Sequence, residues 1–177
     1  MKKASLLWID LEMTGLDPVE DRIMEVGVVA TDLDLREIAR YSGVVKIGHK
    51  LAESRMVGEF WEKNALVRAA LLEQNLTEGR NGRAIEKELL KFLDDNFDNT
   101  QPIYLAGNSI HQDQKFIERE WPRLNARLHY RQLDVSAWKI IFEHMGIKSH
   151  KPEKHRAMTD IEGSIGELKS YIKRIKK

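Results

Sequence analysis

Hydrophobic and polar positions change their period several times along this chain, and each change predicts an element. Leu6-Leu7-Trp8-Ile9 is continuously apolar, which predicts a strand buried on both faces. Asp10 and Glu12 then break the run. Strand side chains alternate in direction, so these two acids share one side, two positions apart. Met13 to Pro18 is rich in turn residues and leaves the strand. Arg22 to Ala30, rich in β-branched residues, predicts a second strand. Thr31 to Asp34 is a turn, and Glu37 to Ile47 contains a third strand. Short connections make these three an antiparallel meander.

Helical spacing takes over afterwards. Between His49 and Gly82, Trp61 and the stretch Ala65 to Leu72 predict one or two short helices, with a loop from Gly79 to Gly82. Ala84 to Phe97 is amphipathic, with Ile85, Leu89, Phe92, Leu93 and Phe97 on one face. Pro102 to Gly107 predicts a short buried strand running into Asn108-Ser109, a helix-start signal. The next helix carries Asp113, with Phe116 and Ile117 three and four residues on, so Asp113 lies near the apolar face. Leu133 to Val135 predicts a strand, followed by a helix through Trp138, Ile141 and Phe142. Lys148 to His155 reads as a basic loop, and a final helix from about Ala157 to Ile175 has Ile161, Ile165, Leu168 and Ile172 at core spacing. The order β-β-β-α-β-α-β-α predicts an α/β fold, a mixed five-stranded sheet flanked by helices. Neither repeat nor linker interrupts it, so residues 1–177 are expected to form a single domain.

Composition narrows the chemistry. The chain has 177 residues and a formal charge of +1, whereas proteins that wrap long nucleic acid are usually strongly basic. Any nucleic-acid substrate is therefore expected to be small and held locally, and long duplexes are not expected as partners. With 0 cysteines, disulfides, thiol nucleophiles and thiolate metal sites are excluded. A reducing, cytoplasmic location fits, and no apolar run approaches the roughly 18 residues of a membrane span.

Four acids stand in similar contexts. Asp10 and Glu12 end a strand, while Asp113 and Asp160 lie in early turns of helices beside the core face. Within a helix, His155 would lie about 140° around from Asp160, but a His still in the loop can fold back toward it. Four carboxylates and a His suit hard divalent cations such as Mg²⁺ or Mn²⁺. Two such ions about 4 Å apart can hold the attacking and leaving oxygens of a phosphoryl transfer, and a nearby His can take a proton from water. Taken singly, each acid is more often a cap or a solvated residue; the set in one chain with this strand order is what points to a site.

At the level of whole segments the chain resembles the DEDDh exonucleases of the ribonuclease-H-like fold. Asp10-Leu11-Glu12 matches the first motif, Asn108 to Asp113 the second, and His155 to Ile161 the third. Trp8 to Leu16, Ala106 to Ile110 and His129 to Ser136 are similar to oligoribonucleases in particular. The resemblance implies a 3′→5′ exoribonuclease acting on dinucleotides and very short RNAs, two divalent metals and a homodimer. It implies that Asp10, Glu12, Asp113 and Asp160 bind metal and that His155 is the general base. Leu16 and Trp61 would flank the bases, and Ser109, Arg131 and Ser136 would hold the 5′ phosphate end. Tyr130, with His129, would complete the partner subunit's catalytic site. Leu66 stands where the family usually has a His, and His111 where it often has Gly. A proofreading or tRNA-trimming exonuclease of the same superfamily, and a catalytically dead RNA-binding domain, are the rival readings.

Overall fold

The computed structural model describes residues 3–147 and 155–175. Three strands come first: β1 (Leu6–Met13), β2 (Ile23–Thr31) and β3 (Glu37–Val44). Helices α1 (His49–Arg55), α2 (Glu59–Lys63), α3 (Ala65–Glu78) and α4 (Gly82–Asn96) follow. The chain continues through β4 (Tyr104–Gly107), α5 (His111–Glu120), α6 (Pro122–Asn125), β5 (Gln132–Asp134), α7 (Val135–His144) and α8 (Ala157–Ile175).

The sheet has the order β3-β2-β1-β4-β5. β1 pairs antiparallel with β2, and β2 with β3, as the short turns require. β4 lies parallel to β1, and β5 parallel to β4. This is the mixed, five-stranded α/β sheet expected from the pattern. Alternation along β1 sorts its side chains between two cores. Leu7, Ile9 and Leu11 face α4 and α5, packing with Ile85, Leu89 and Phe116. Leu6 and Trp8 face the opposite layer, against Val135, Ile161 and Leu168 of α7 and α8. The same alternation carries Asp10 and Glu12 onto the side where α8 lies.

The structure departs from the pattern mainly between β3 and α4. One or two short helices were expected, and three are present. The 14-residue α3 buries only Leu71, Leu72 and Asn75, so its apolar residues do not form one clean stripe. Together with Met24, Ala52, Met56 and Trp61 those leucines make a third, smaller core. The expected basic loop from Lys148 lies outside the described residues as far as Lys154.

Candidate active site

Asp10, Glu12 and Asp160 converge: one carboxylate oxygen from each lies within 4.8 Å of the others. The approach of α8 to the sheet makes this possible. Gly27 on β2 is the register partner of Asp10. A Cβ at Gly27 would sit 2.9 Å from the Met158 backbone nitrogen and 3.1 Å from the Ala157 Cβ. The missing side chain thus lets the first turn of α8 rest directly on β2, which brings Asp160 over the end of β1. Arg156 N–H donates to the Asp160 carboxylate (3.2 Å) and caps that turn.

Asp113 borders this trio from the other side. β1 and β4 stay paired as far as Trp8 and Ala106. Beyond that point β4 no longer pairs with β1, and the Leu11 N–H donates to Asp113 Oδ1 at 3.0 Å. Burial pushes the Asp113 carboxyl up to about 7, against the pull of that N–H. Burial pushes Glu12 further, up to about 8, and the charges of Glu25 and Asp160 act the same way. Glu25 is a buried acid that the sequence reading passed over. It lies directly across the antiparallel pair from Glu12 and is paired with Arg156 Nε at 2.9 Å. Carboxylates this close and this dry repel one another. An all-oxygen donor set with excess negative charge fits a hard divalent cation, so Asp10, Glu12 and Asp160, with Asp113 beside them, are the residues that would hold one.

His155 enters α8 with a positive φ of 51°. Its ring meets Phe60 edge-to-face, with centroids 5.1 Å apart. Leu16 projects from the turn after β1 and is largely exposed. That turn is tied down on both flanks: Gln112 Nε2 donates to the Leu16 carbonyl at 2.5 Å, and Asp21 accepts from Thr14, Asp17 and Arg55. Trp61 reaches the same turn, its Nε1–H donating to the Thr14 carbonyl at 3.1 Å, but it is only 6% exposed and packs in the third core. Leu66, at 89% exposure, points into solvent.

Ser109 and Ser136 come together at the carboxyl end of β5 around Asp134. The Asp134 carboxylate caps α7 through Ser136 N–H (2.9 Å), accepts the Ser136 hydroxyl, and accepts Ser109 N–H at 3.0 Å. Ser109 holds a left-handed φ of 49°, so the helix-start signal at Asn108-Ser109 is a bend and α5 itself begins at His111. Arg131 does not join this group. It lies at the amino end of β5 with its guanidinium over the Tyr130 ring at 5.3 Å, and Tyr130 in turn lies tilted against the His129 ring, centroids 4.5 Å apart.

A family model described as Exonuclease, RNase_T, matches residues 7–57 and 73–168. An oligoribonuclease of Dichelobacter nodosus is 37% identical over 179 residues, covering 98% of this chain and 96% of its own. Those of Nitrosomonas europaea and Yersinia pseudotuberculosis are 36% and 37% identical, each covering 94% of this chain and 93% of its own. Among solved structures, an E. coli exonuclease I–single-stranded DNA complex aligns with a TM-score of 0.69 at 16% identity. It matches 98% of this chain, which spans only 41% of that one. Exonuclease I from Methylocaldum szegediense aligns with a TM-score of 0.67, also at 16% identity, over 97% of this chain and 40% of that one. These structures share the fold. A sheet of this order with carboxylates converging at the end of its central strand belongs to the exonuclease family that the matching model describes. Within that family the near full-length relatives are decisive, and the chain belongs to the oligoribonucleases.

Proposed function

We infer that the protein is a 3′→5′ exoribonuclease that hydrolyses dinucleotides and other very short oligoribonucleotides to mononucleotides. The observation that carries this reading is the convergence of Asp10, Glu12 and Asp160 in a chain of the oligoribonuclease family. Two divalent cations, Mg²⁺ or Mn²⁺, when held by these acids and Asp113, supply charge stabilisation to the oxygens that attack and leave. The residues of the chain do the rest. The His155 imidazole takes the proton of the attacking water as the new P–O bond forms. The bond from phosphorus to the 3′ oxygen breaks, that oxygen takes a proton from solvent to become the new 3′ hydroxyl, and a nucleoside 5′-monophosphate is released. Leu16 and Trp61 flank the bases, and Ser109 and Ser136 hold the 5′ phosphate end. One domain, residues 1–177, carries the activity.

We also propose a homodimer in which Tyr130, with His129, completes the partner's site, where Arg131 beside them meets the 5′ phosphate end. The sheet register supports it. Gln132 is level with Leu105, and Leu105 with Leu7. Tyr130 therefore lies toward the amino end of β1, on the order of 15 Å along the strand direction from Asp10. It is 75% exposed, too far along the sheet to serve its own acids and free to serve another's. β5 is an edge strand, and Ile140 and Ile141 of the adjoining α7, with Met145 just after it, are exposed apolar residues that a second copy could cover. A cytoplasmic location agrees with the absence of cysteine. Among the described residues no helix is long and apolar enough to cross a membrane. The test is cleavage of 5′-labelled RNAs from two nucleotides upward, with and without Mn²⁺. Metal-dependent cleavage fastest on the dinucleotide is expected. A preference for long strands, or cleavage indifferent to EDTA, would overturn the reading.

A further inference from the structure

Phe60 is a half-exposed aromatic residue, at 51%, on a five-residue helix whose other outward side chains are charged. A single exposed apolar residue ordinarily needs no explanation. This one touches two rings at the site. Its centroid is 5.0 Å from that of Trp61, at 81°, and 5.1 Å from that of His155, at 78°. Both contacts have the edge-to-face geometry that aromatic pairs favour. Trp61 is anchored by its Nε1–H to the Thr14 carbonyl, in the turn that carries Leu16. The row Trp61–Phe60–His155 therefore links the turn that would flank the bases to the imidazole.

His155 needs such a contact. Its backbone is set by the left-handed φ and by the Arg156 cap that follows it. Those constraints leave the side-chain torsions free, and Phe60 closes one side of their range. From this geometry we propose that Phe60 is a positioning residue: it buttresses the His155 ring in the orientation that takes the proton from water. The inference rests on His155 being the general base.

An edge-to-face pair biases its partner by about two- to tenfold in population. Phe60→Ala is accordingly expected to lower kcat on a dinucleotide by about three- to tenfold, with KM changed less than about twofold. Phe60→Tyr, which keeps the ring, should restore the rate; Phe60→Leu, which keeps bulk alone, should restore only part of it. In a His155→Ala background Phe60→Ala should cost nothing further. The His155 ring resonance, assigned by its loss in His155→Ala, should move in Phe60→Ala as the neighbouring ring current disappears.

Wild-type cleavage is measured first. Its absence defeats the functional reading, whereas intact cleavage with no effect of Phe60→Ala on kcat defeats this inference alone. A rise in KM at constant kcat would make Phe60 a seat for a base and overturn the positioning role. An equal loss with and without His155, or an unmoved His155 resonance, would overturn it as well.

Discussion

Replacing Glu12 by Gln should stabilise the metal-free protein at alkaline pH while destroying its activity. In the folded chain, burial and the charges of Glu25 and Asp160 hold the Glu12 carboxyl near 8, against an ordinary 4.5. The folded state thus binds this proton more tightly than the unfolded state. The stability that Glu12 contributes is fully present below about pH 4.5 and is lost as pH rises through about 8. The whole gap corresponds to about 5 kcal/mol. The amide that replaces the carboxyl is itself a partly buried polar group and keeps part of that cost. Neutralising Glu12 alone should therefore recover about 2–3 kcal/mol of that. Gln keeps the shape and never ionises. Urea unfolding in EDTA, followed by circular dichroism at pH 5 and pH 9, measures the difference. The two proteins should be nearly equal at pH 5, and the variant more stable at pH 9. Saturating Mn²⁺ should then stabilise the wild type more than the variant, because a cation bound only by the folded state adds its binding energy. A variant no more stable than wild type at pH 9, or an offset that does not change with pH, would refute the view that Glu12 sits under repulsion awaiting a cation.

Asp160→Asn keeps an oxygen for the Arg156 N–H but removes a charge from the converging trio. Cleavage in saturating Mn²⁺ should be abolished while the melting temperature in EDTA stays level or rises. Arg156→Gln strands the buried Glu25 carboxylate and should cost about 1–3 kcal/mol in urea unfolding; adding Glu25→Gln should recover most of it, and no recovery would mean that Arg156 acts elsewhere. Tyr130→Ala should be inactive as a dimer yet regain activity when mixed with excess Asp10→Ala protein under conditions of subunit exchange. No recovery on mixing would place Tyr130 in its own chain's site.

Local patterns were legible because the forces behind them are local. The apolar run of β1 and the two acids that end it follow from strand alternation, and Asp113 was placed beside the core by Phe116 and Ile117 on the next turn. The layer assignment of β1 and α8 follows from the same periods. What escaped needed distant partners. Glu25 looks like one polar residue inside an apolar strand, and the Arg156 that allows its burial lies 131 positions away. Phe60 sits beside Trp61, to which the family resemblance gave the base-flanking role. Only the fold shows that Phe60 turns toward His155. The three helices after β3 were blurred because their apolar residues are shared between a small core and solvent, as Leu66 and Leu76 on α3 show.

The electrostatics of the site tie these observations together. Asp10, Glu12, Glu25, Asp113 and Asp160 crowd the carboxyl end of β1. Against them stand the Arg156 guanidinium on Glu25 and the backbone N–H groups of Leu11 and Arg156. A neutral hydrogen bond offsets only part of the cost of burying a carboxylate. Raised carboxyl values at Glu12 and Asp113 are the visible remainder. Such strain persists only where the surrounding structure over-determines it, and here the glycine contact between β2 and α8 and the β1–α5 hydrogen bond do so. A binding domain with no chemistry to perform would gain stability from losing the charge of Glu12 or of Asp113. Their joint retention, on two strands and two helices that the core locks in place, is the arrangement that metal-assisted phosphodiester hydrolysis requires.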